Sequence, residues 1–340
     1  MPKNIVVCLD GTWNNAVSTD TPSTNVHVLF QLVARNNQLK SYYPGVGAHT
    51  GWLGNRLYGA SGKGVFQAAR LAWQHIAANH EDGDKVFIFG FSRGAYAARH
   101  LAGMIVRHGL RGWQGNIEET FREWIANVRE PCTLVRQEVH FLGLFDCVPG
   151  NHLYVLRDRS PHLNGTQLEP GIVHVRHAVS IHERRWSFRP LIFDQSQHHK
   201  SFAQHWFPGF HSDVGGGEDV AYGLASFSLW WMLREAYGLG LDFDNINCSS
   251  HKYGHSLGVL RSADPEATPV CSDYWTTRLG LRWNRTERAT AVIPELTPGF
   301  DSLDECPRCG NEMFDFFLTD VGQRWLRSKG LIAQDGPNDG

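Results

Sequence analysis

Lys85-Val86-Phe87-Ile88-Phe89-Gly90-Phe91-Ser92-Arg93-Gly94-Ala95 is the stretch on which the reading of the fold turns. Lys85 to Phe89 is apolar on both faces, the mark of a strand buried inside a parallel sheet. Gly83-Asp84 ahead of it is a turn signal. From Ala95 to Val106 the chain is rich in alanine and free of proline. Leu101 and Ile105 repeat there at helical spacing, and Gly109 suits a position just past a helix end. A strand, a sharp turn at Gly90-Phe91-Ser92-Arg93-Gly94 and a helix therefore follow one another without a spare residue.

Working outward, Ile5 to Leu9 reads as a second buried strand, ending in the tight turn Asp10-Gly11-Thr12. Asn25 to Val33 and Gly64 to Ala77 carry apolar residues at helical spacing, and Tyr42 to Gly47 is a strand-to-loop signal. Val139 to Phe145 is another buried strand and runs into Asp146. Pro149 to Pro170 is rich in loop-forming residues. Val173 to Ile181 fits strand or helix. His205-Trp206-Phe207-Pro208 leads to the Gly-rich segment His211 to Gly217, and Ala225 to Tyr237 is a helix stopped by Gly238. Strands alternating with helices predict an α/β fold, a mainly parallel central sheet flanked by helices. The pattern weakens after about Asp244. The expected organisation is one α/β domain over 1–250 and a loop-rich C-terminal extension over 251–340 packed on it.

Gly90-Phe91-Ser92-Arg93-Gly94 is a Gly-x-Ser-x-Gly turn, and its strand and helix flanks make it a nucleophile elbow. The small residues Gly90 and Gly94 permit the strained turn, and the helix N-terminus brings N–H groups and positive partial charge beside Ser92. A serine hydroxyl needs a base, and the base needs an orienting acid. The chain order Ser, then Asp, then His selects Asp146 and His211. Asp213 is a rival acid, two residues from the histidine; otherwise it holds the loop. An oxyanion hole needs two donors. The Arg93 N–H supplies one, and the Gly11 or Thr12 N–H at the end of the first strand supplies the other. Asp10 either pins that turn or binds a cation.

Composition removes several function classes. Among 340 residues, 32 Lys and Arg face 34 Asp and Glu, so there is no basic footprint for nucleic acid. With 42% hydrophobic and 19% charged residues, the chain has the composition of a folded globular protein. The longest apolar run, Leu224 to Leu233, is too short for a membrane span. Seven cysteines cannot all pair, and their scatter reads as a reduced, cytoplasmic set. No secretory signal is seen, which agrees with cytoplasmic synthesis and also with export by a machinery that needs none.

Taken together, several motifs resemble one family. They are Leu9-Asp10-Gly11-Thr12-Trp13-Asn14, Thr24-Asn25-Val26, Pro44-Gly45-Val46-Gly47, Gly90 to Tyr96, Phe145-Asp146-Cys147-Val148, His182-Glu183-Arg184-Arg185, and Trp206 to Gly217. From about residue 3 to about residue 245 the chain resembles the catalytic domain of type VI secretion phospholipase effectors of the Tle1-like family, also called uncharacterised-domain family 2235. The resemblance implies an α/β-hydrolase-like module, a triad of Ser92, Asp146 and His211, and phospholipase A activity on fatty-acyl esters of membrane lipids.

Other constellations weigh less. Gly59 to Gly64 fails as a phosphate loop, since Gly64 follows the lysine where Ser or Thr is needed. Cys306-Pro307-Arg308-Cys309 is either half of a zinc knuckle, completed by His251 or His255, or a plain turn. His198, His199 and His205 fit no catalytic zinc spacing. Arg176, Arg184, Arg185 and Arg189 form either an anion site or a salt-bridged patch containing Glu183. The expected activity is ester hydrolysis through an acyl-enzyme, without cofactor. The substrate is a phospholipid met by peripheral contact with a membrane, or a small soluble ester or thioester. A non-catalytic binding protein on the same scaffold and a metal-dependent hydrolase using Asp10, Asp213 and histidines are the rival readings.

Overall fold

The structure, a computed structural model, describes residues 2–11, 23–45, 63–110, 119, 123–124, 136–149, 166–180, 183, 185, 188–194, 198–207, 209–217 and 222–244. The expected extension over 251–340, with Cys306 and Cys309, lies outside them, as does Thr12.

The elements run β1 (Asn4–Leu9), α1 (Asn25–Leu32), β2 (Gln38–Tyr43), α2 (Lys63–Asn79), β3 (Lys85–Phe91), α3 (Arg93–His108), β4 (Val139–Phe145), β5 (Ile172–Ser180), β6 (Ser201–Phe207), α4 (His211–Gly215) and α5 (Tyr222–Gly238). The six strands form one sheet in the order β2-β1-β3-β4-β5-β6, and every neighbouring pair is parallel. This is the α/β architecture read from the alternation of elements. Of strand or helix, residues 172–180 form a strand, and the strand-to-loop signal at Tyr42 to Gly47 marks the end of a strand that begins at Gln38 and stops at Tyr43. β2 is a half-buried edge strand, so Gln38, Lys40 and Ser41 are tolerated and its apolar signal is diluted.

Two apolar layers sandwich the sheet. Val6, Cys8, Phe87, Phe89 and Phe141 pack with residues of α1 and α5, including Leu29, Phe227 and Trp231. Ile5, Val7, Leu9, Ile88 and Leu144 pack with α2 and α3, including Trp73, Leu101 and Ile105. Helix α3 is buried from Gly94 to Val106, and its alanines let it lie close on the central strands.

Chain direction along the sheet reverses at β1. The chain goes outward to β2, then crosses to β3 on the other side. In open parallel sheets the crevice at such a switch point, beyond the C-terminal strand ends, is where ligands bind. The register sets those ends level: Leu9 pairs with Gly90, Phe91 with Phe145, and Phe145 with Ala178. The residues that leave β1, β3 and β4, namely Asp10, Ser92 and Asp146, therefore emerge side by side.

Gly143 in the middle of β4 tests this packing. A Cβ there would stand 2.6 Å from the Phe89 ring and 2.8 Å from Met232 Sδ and the Phe141 ring. Gly143→Ala is expected to destabilise the fold by about 1–3 kcal/mol through overpacking. Thermal denaturation reads this as a lowered Tm, and a wild-type Tm would contradict the packing.

Candidate active site

The turn at Ser92 has a physical cause on each side. A Cβ on Gly90 would lie 2.6 Å from Ala95 Cα and from the Gly94 carbonyl, because the helix folds straight back on the strand. A Cβ on Gly94 would lie 2.3 Å from the Leu9 carbonyl and 2.4 Å from that of Asp10, so α3 begins in direct contact with the end of β1. Ser92 between them has φ 57° and ψ −124°. A non-glycine residue in this region is strained and persists only where its surroundings enforce it. Here they do. The Ser92 N–H donates to the Phe145 carbonyl (3.0 Å), and the Ser92 carbonyl accepts from Val148 (3.2 Å) and Tyr96 (3.2 Å).

Asp146 also has positive φ, 38°. Its carboxylate is fully buried. Oδ1 accepts the Ser180 N–H (3.0 Å), and Oδ2 accepts the Ser180 hydroxyl (3.0 Å) and lies 2.6 Å from His211 Nδ1. The other ring nitrogen, His211 Nε2, lies 2.8 Å from Ser92 Oγ. The structure thus brings Ser92, His211 and Asp146 into one hydrogen-bonded row. With Nδ1–H directed at the carboxylate, Nε2 presents a lone pair to the serine hydroxyl. The ring is held between Phe91, stacked at 4.7 Å, and the edge-on Phe188 at 4.8 Å.

His211 does not sit on an open Gly-rich loop. It heads the short helix α4, whose end at Gly215 presses on Phe91: a Cβ on Gly215 would stand 1.9 Å from that ring. Asp213, the rival acid, faces the other way. Its Oδ2 accepts the Phe210 N–H (2.7 Å) at the start of α4, so it holds the turn that presents His211.

Asp10 pins its turn. Oδ1 accepts from Gly11 N–H (2.6 Å), and Oδ2 accepts from the Thr24 hydroxyl (2.6 Å) and Tyr42 OH (2.5 Å). The Gly11 N–H expected at an oxyanion is thereby directed at the neighbouring carboxylate. The Arg93 N–H stands at the first position of α3, where helix geometry provides no internal acceptor. Thr24 also caps α1 by accepting His27 N–H (3.2 Å), and Asn25 Nδ2 donates to the Val214 and Ala225 carbonyls (2.9 and 2.8 Å). The end of β1 is in this way tied to the helix that carries His211. Among the described residues, no group of three or more His, Cys, Asp or Glu side chains is placed to hold a metal. The Cys8 and Cys147 thiols are buried, and burial pushes both well above the usual thiol range.

Two members of the arginine cluster are salt-bridged. Arg176 pairs with Glu235 at 2.5 Å, and Arg185 grips Glu183 through Nε (2.9 Å) and Nη2 (2.5 Å). His199 is buried with Nδ1 2.6 Å from the Ile172 carbonyl. Two residues that the sequence reading does not assign to the site support it. Ser180 ends β5 beside Asp146. Glu183 accepts the His211 N–H at 3.4 Å, while the Arg185 guanidinium lies over the Phe188 ring at 3.9 Å. By sequence Glu183 stands in the motif His182-Glu183-Arg184-Arg185 and in the arginine patch, not beside His211.

A family model described as the catalytic domain of the type VI secretion phospholipase effector Tle1-like proteins matches residues 3–131 and 113–235. The chain belongs to this family. It is 32% identical over 228 residues to the uncharacterized protein YEL023C of Saccharomyces cerevisiae, covering 56% of this chain and 33% of that protein. Among solved structures it is similar to an uncharacterized protein from Pseudomonas aeruginosa, with 20% identity, a TM-score of 0.44, and coverage of 71% of this chain and 46% of that one. A second is the Tle1 effector bound to the VgrG spike of the type 6 secretion system, with 21% identity, a TM-score of 0.40, and coverage of 64% and 51%. The chain thus spans about a third of the curated relative and about half of each solved chain. No helix among the described residues is long and apolar enough to cross a membrane.

Glu183 gives the site an acid-sensitive support. Burial would raise its pKa, but the hydrogen bonds and charge of Arg185 outweigh that and hold it below the ordinary 4.5. A depressed carboxylate contributes stability that is complete above 4.5 and is lost as pH falls below it toward the folded value. Glu183→Gln is expected to lower the Tm at neutral pH and to flatten the loss of stability on acidification. Melting curves across the acid range check this; an unchanged acid slope would contradict it.

Proposed function

We propose that this chain is a serine ester hydrolase of the lipase or phospholipase A type, acting on fatty-acyl esters. The observation that carries the reading is the row Ser92 Oγ–His211 Nε2 at 2.8 Å and His211 Nδ1–Asp146 Oδ2 at 2.6 Å, at the switch point of the sheet. Membership of the Tle1-like catalytic family supports the lipid class of substrate.

In the proposed reaction Ser92 Oγ attacks the ester carbonyl while His211 Nε2 takes its proton. Asp146 keeps the ring in the Nδ1–H tautomer and stabilises the imidazolium that forms. The Arg93 N–H and the helix start of α3 stabilise the oxyanion. Gly11 N–H is directed at Asp10, and Thr12, the other candidate for the second donor, lies outside the described residues. Collapse of the intermediate breaks the bond to the leaving alcohol, which receives the proton from His211. A water molecule, deprotonated by His211, then attacks the acyl-serine, and the carboxylic acid leaves as Ser92 regains its proton. Each step uses groups of the chain and water alone.

Hydrolysis of phosphatidylcholine vesicles and of 4-nitrophenyl butyrate tests the reading. Ser92→Ala is expected to abolish turnover of whichever ester is cleaved, with nearly unchanged Tm. Asp146→Asn is expected to lower kcat by roughly 10³–10⁴-fold, and Asp213→Asn by much less. Activity retained in Ser92→Ala would refute the serine mechanism, and the reverse ranking of the aspartates would reassign the acid. Cleavage of the soluble ester with no action on vesicles would replace a lipid substrate by a small acyl ester.

A further inference from the structure

We propose that His177 is a positioning residue that holds the Asp146 turn in place. The inference rests on the reading of Ser92, His211 and Asp146 as the catalytic row. Asp146 has positive φ, so the chain turns away from the ladder there, inside a fully buried environment. Buried N–H groups must find acceptors. The Asp146 N–H donates to the Ala178 carbonyl (2.7 Å), and the Val148 N–H donates to the Ser92 carbonyl (3.2 Å). The N–H between them, that of Cys147, donates to a side chain, His177 Nε2, at 3.1 Å.

That bond assigns the ring. A backbone N–H can only donate, so Nε2 of His177 carries the lone pair and Nδ1 carries the proton. Nδ1 lies 2.9 Å from Gln204 Oε1, and the same oxygen accepts the Phe193 N–H at 3.0 Å, which fixes the amide with its oxygen toward the ring. The Phe193 ring packs at 5.3 Å from the imidazole. On the far side of the turn the Leu191 N–H donates to the Cys147 carbonyl (2.9 Å). β5, β6 and the 188–194 segment therefore converge through one buried imidazole on the peptide that follows the acid. His177 touches neither His211 nor Ser92 among these contacts; it acts through the Asp146 backbone.

The test compares His177→Leu, which removes the acceptor, with His177→Gln, whose amide oxygen can replace Nε2. Two readouts are taken on the full chain: kcat and KM for 4-nitrophenyl butyrate, and the downfield proton resonance of His211 Nδ1–H shared with Asp146. Misplacing a catalytic group by about 1 Å can cost about 10²-fold. His177→Leu is therefore expected to lower kcat by about 10²-fold, with KM held within about twofold, and to weaken or shift the resonance. His177→Gln is expected to recover most of both.

A folded His177→Leu with wild-type kcat and an unmoved resonance would overturn the proposal. So would a His177→Gln as impaired as His177→Leu. Should His177→Leu fail to fold, Gln204→Leu carries the test, with a weakened resonance and lowered kcat at constant KM expected and wild-type values overturning. If the wild-type chain cleaves no ester, or Ser92→Ala stays active, the catalytic reading fails separately, and the resonance comparison alone decides whether His177 holds the Asp146–His211 pair.

Discussion

A carboxylate removed from water must be satisfied by the protein around it, and the geometry at the sheet's C-terminal edge depends on how that is done for Asp146. Its oxygens accept from His211 and from the backbone and hydroxyl of Ser180, so one side chain joins β4, β5 and α4. The parallel register makes this feasible, since Phe145 and Ala178 pair directly and bring the two strand ends level. The same ladder continues past the strands, with Ser92 donating to Phe145 and Val148 donating to Ser92. The turns bearing the serine and the acid therefore cannot shift independently, and the strained φ at both is held by these bonds.

Close approach is the second requirement. Gly94 rests on the carbonyls of Leu9 and Asp10, and Gly215 rests on the ring of Phe91. A side chain at either place would push α3 away from β1 or α4 away from β3. Asp10 and Asn25 complete the enclosure. The first gathers Gly11, Thr24 and Tyr42, and the second gathers Val214, Ala225 and Ser228. The side of the crevice beside β1 and the helix carrying His211 are thus parts of one polar network beneath the site.

Much of this was legible in the residues. The strand–elbow–helix unit around Ser92 announces itself because a strand buried on both faces is continuously apolar and its flanking glycines have no other use. Asp146 and His211 follow from chemistry and chain order, and His211 lies within hydrogen-bond reach of both Asp146 and Ser92. What stayed hidden had physical reasons. β2 is an edge strand whose polar residues imitate a loop. α4 is five residues long and begins among glycines, too short to display a period. The direction of the Gly11 N–H depends on a carboxylate one residue away. His177, one of 18 histidines, is distinguished only by a peptide that the fold brings to it from 30 residues upstream.

An activated Ser92 can be measured by labelling with a fluorophosphonate probe, read by intact mass and peptide mapping on the wild type and on His211→Ala. Stoichiometric modification at Ser92, lost in the histidine variant, is expected. Folded wild-type protein that takes up no probe, or takes it up equally without His211, would contradict an activated serine at the elbow.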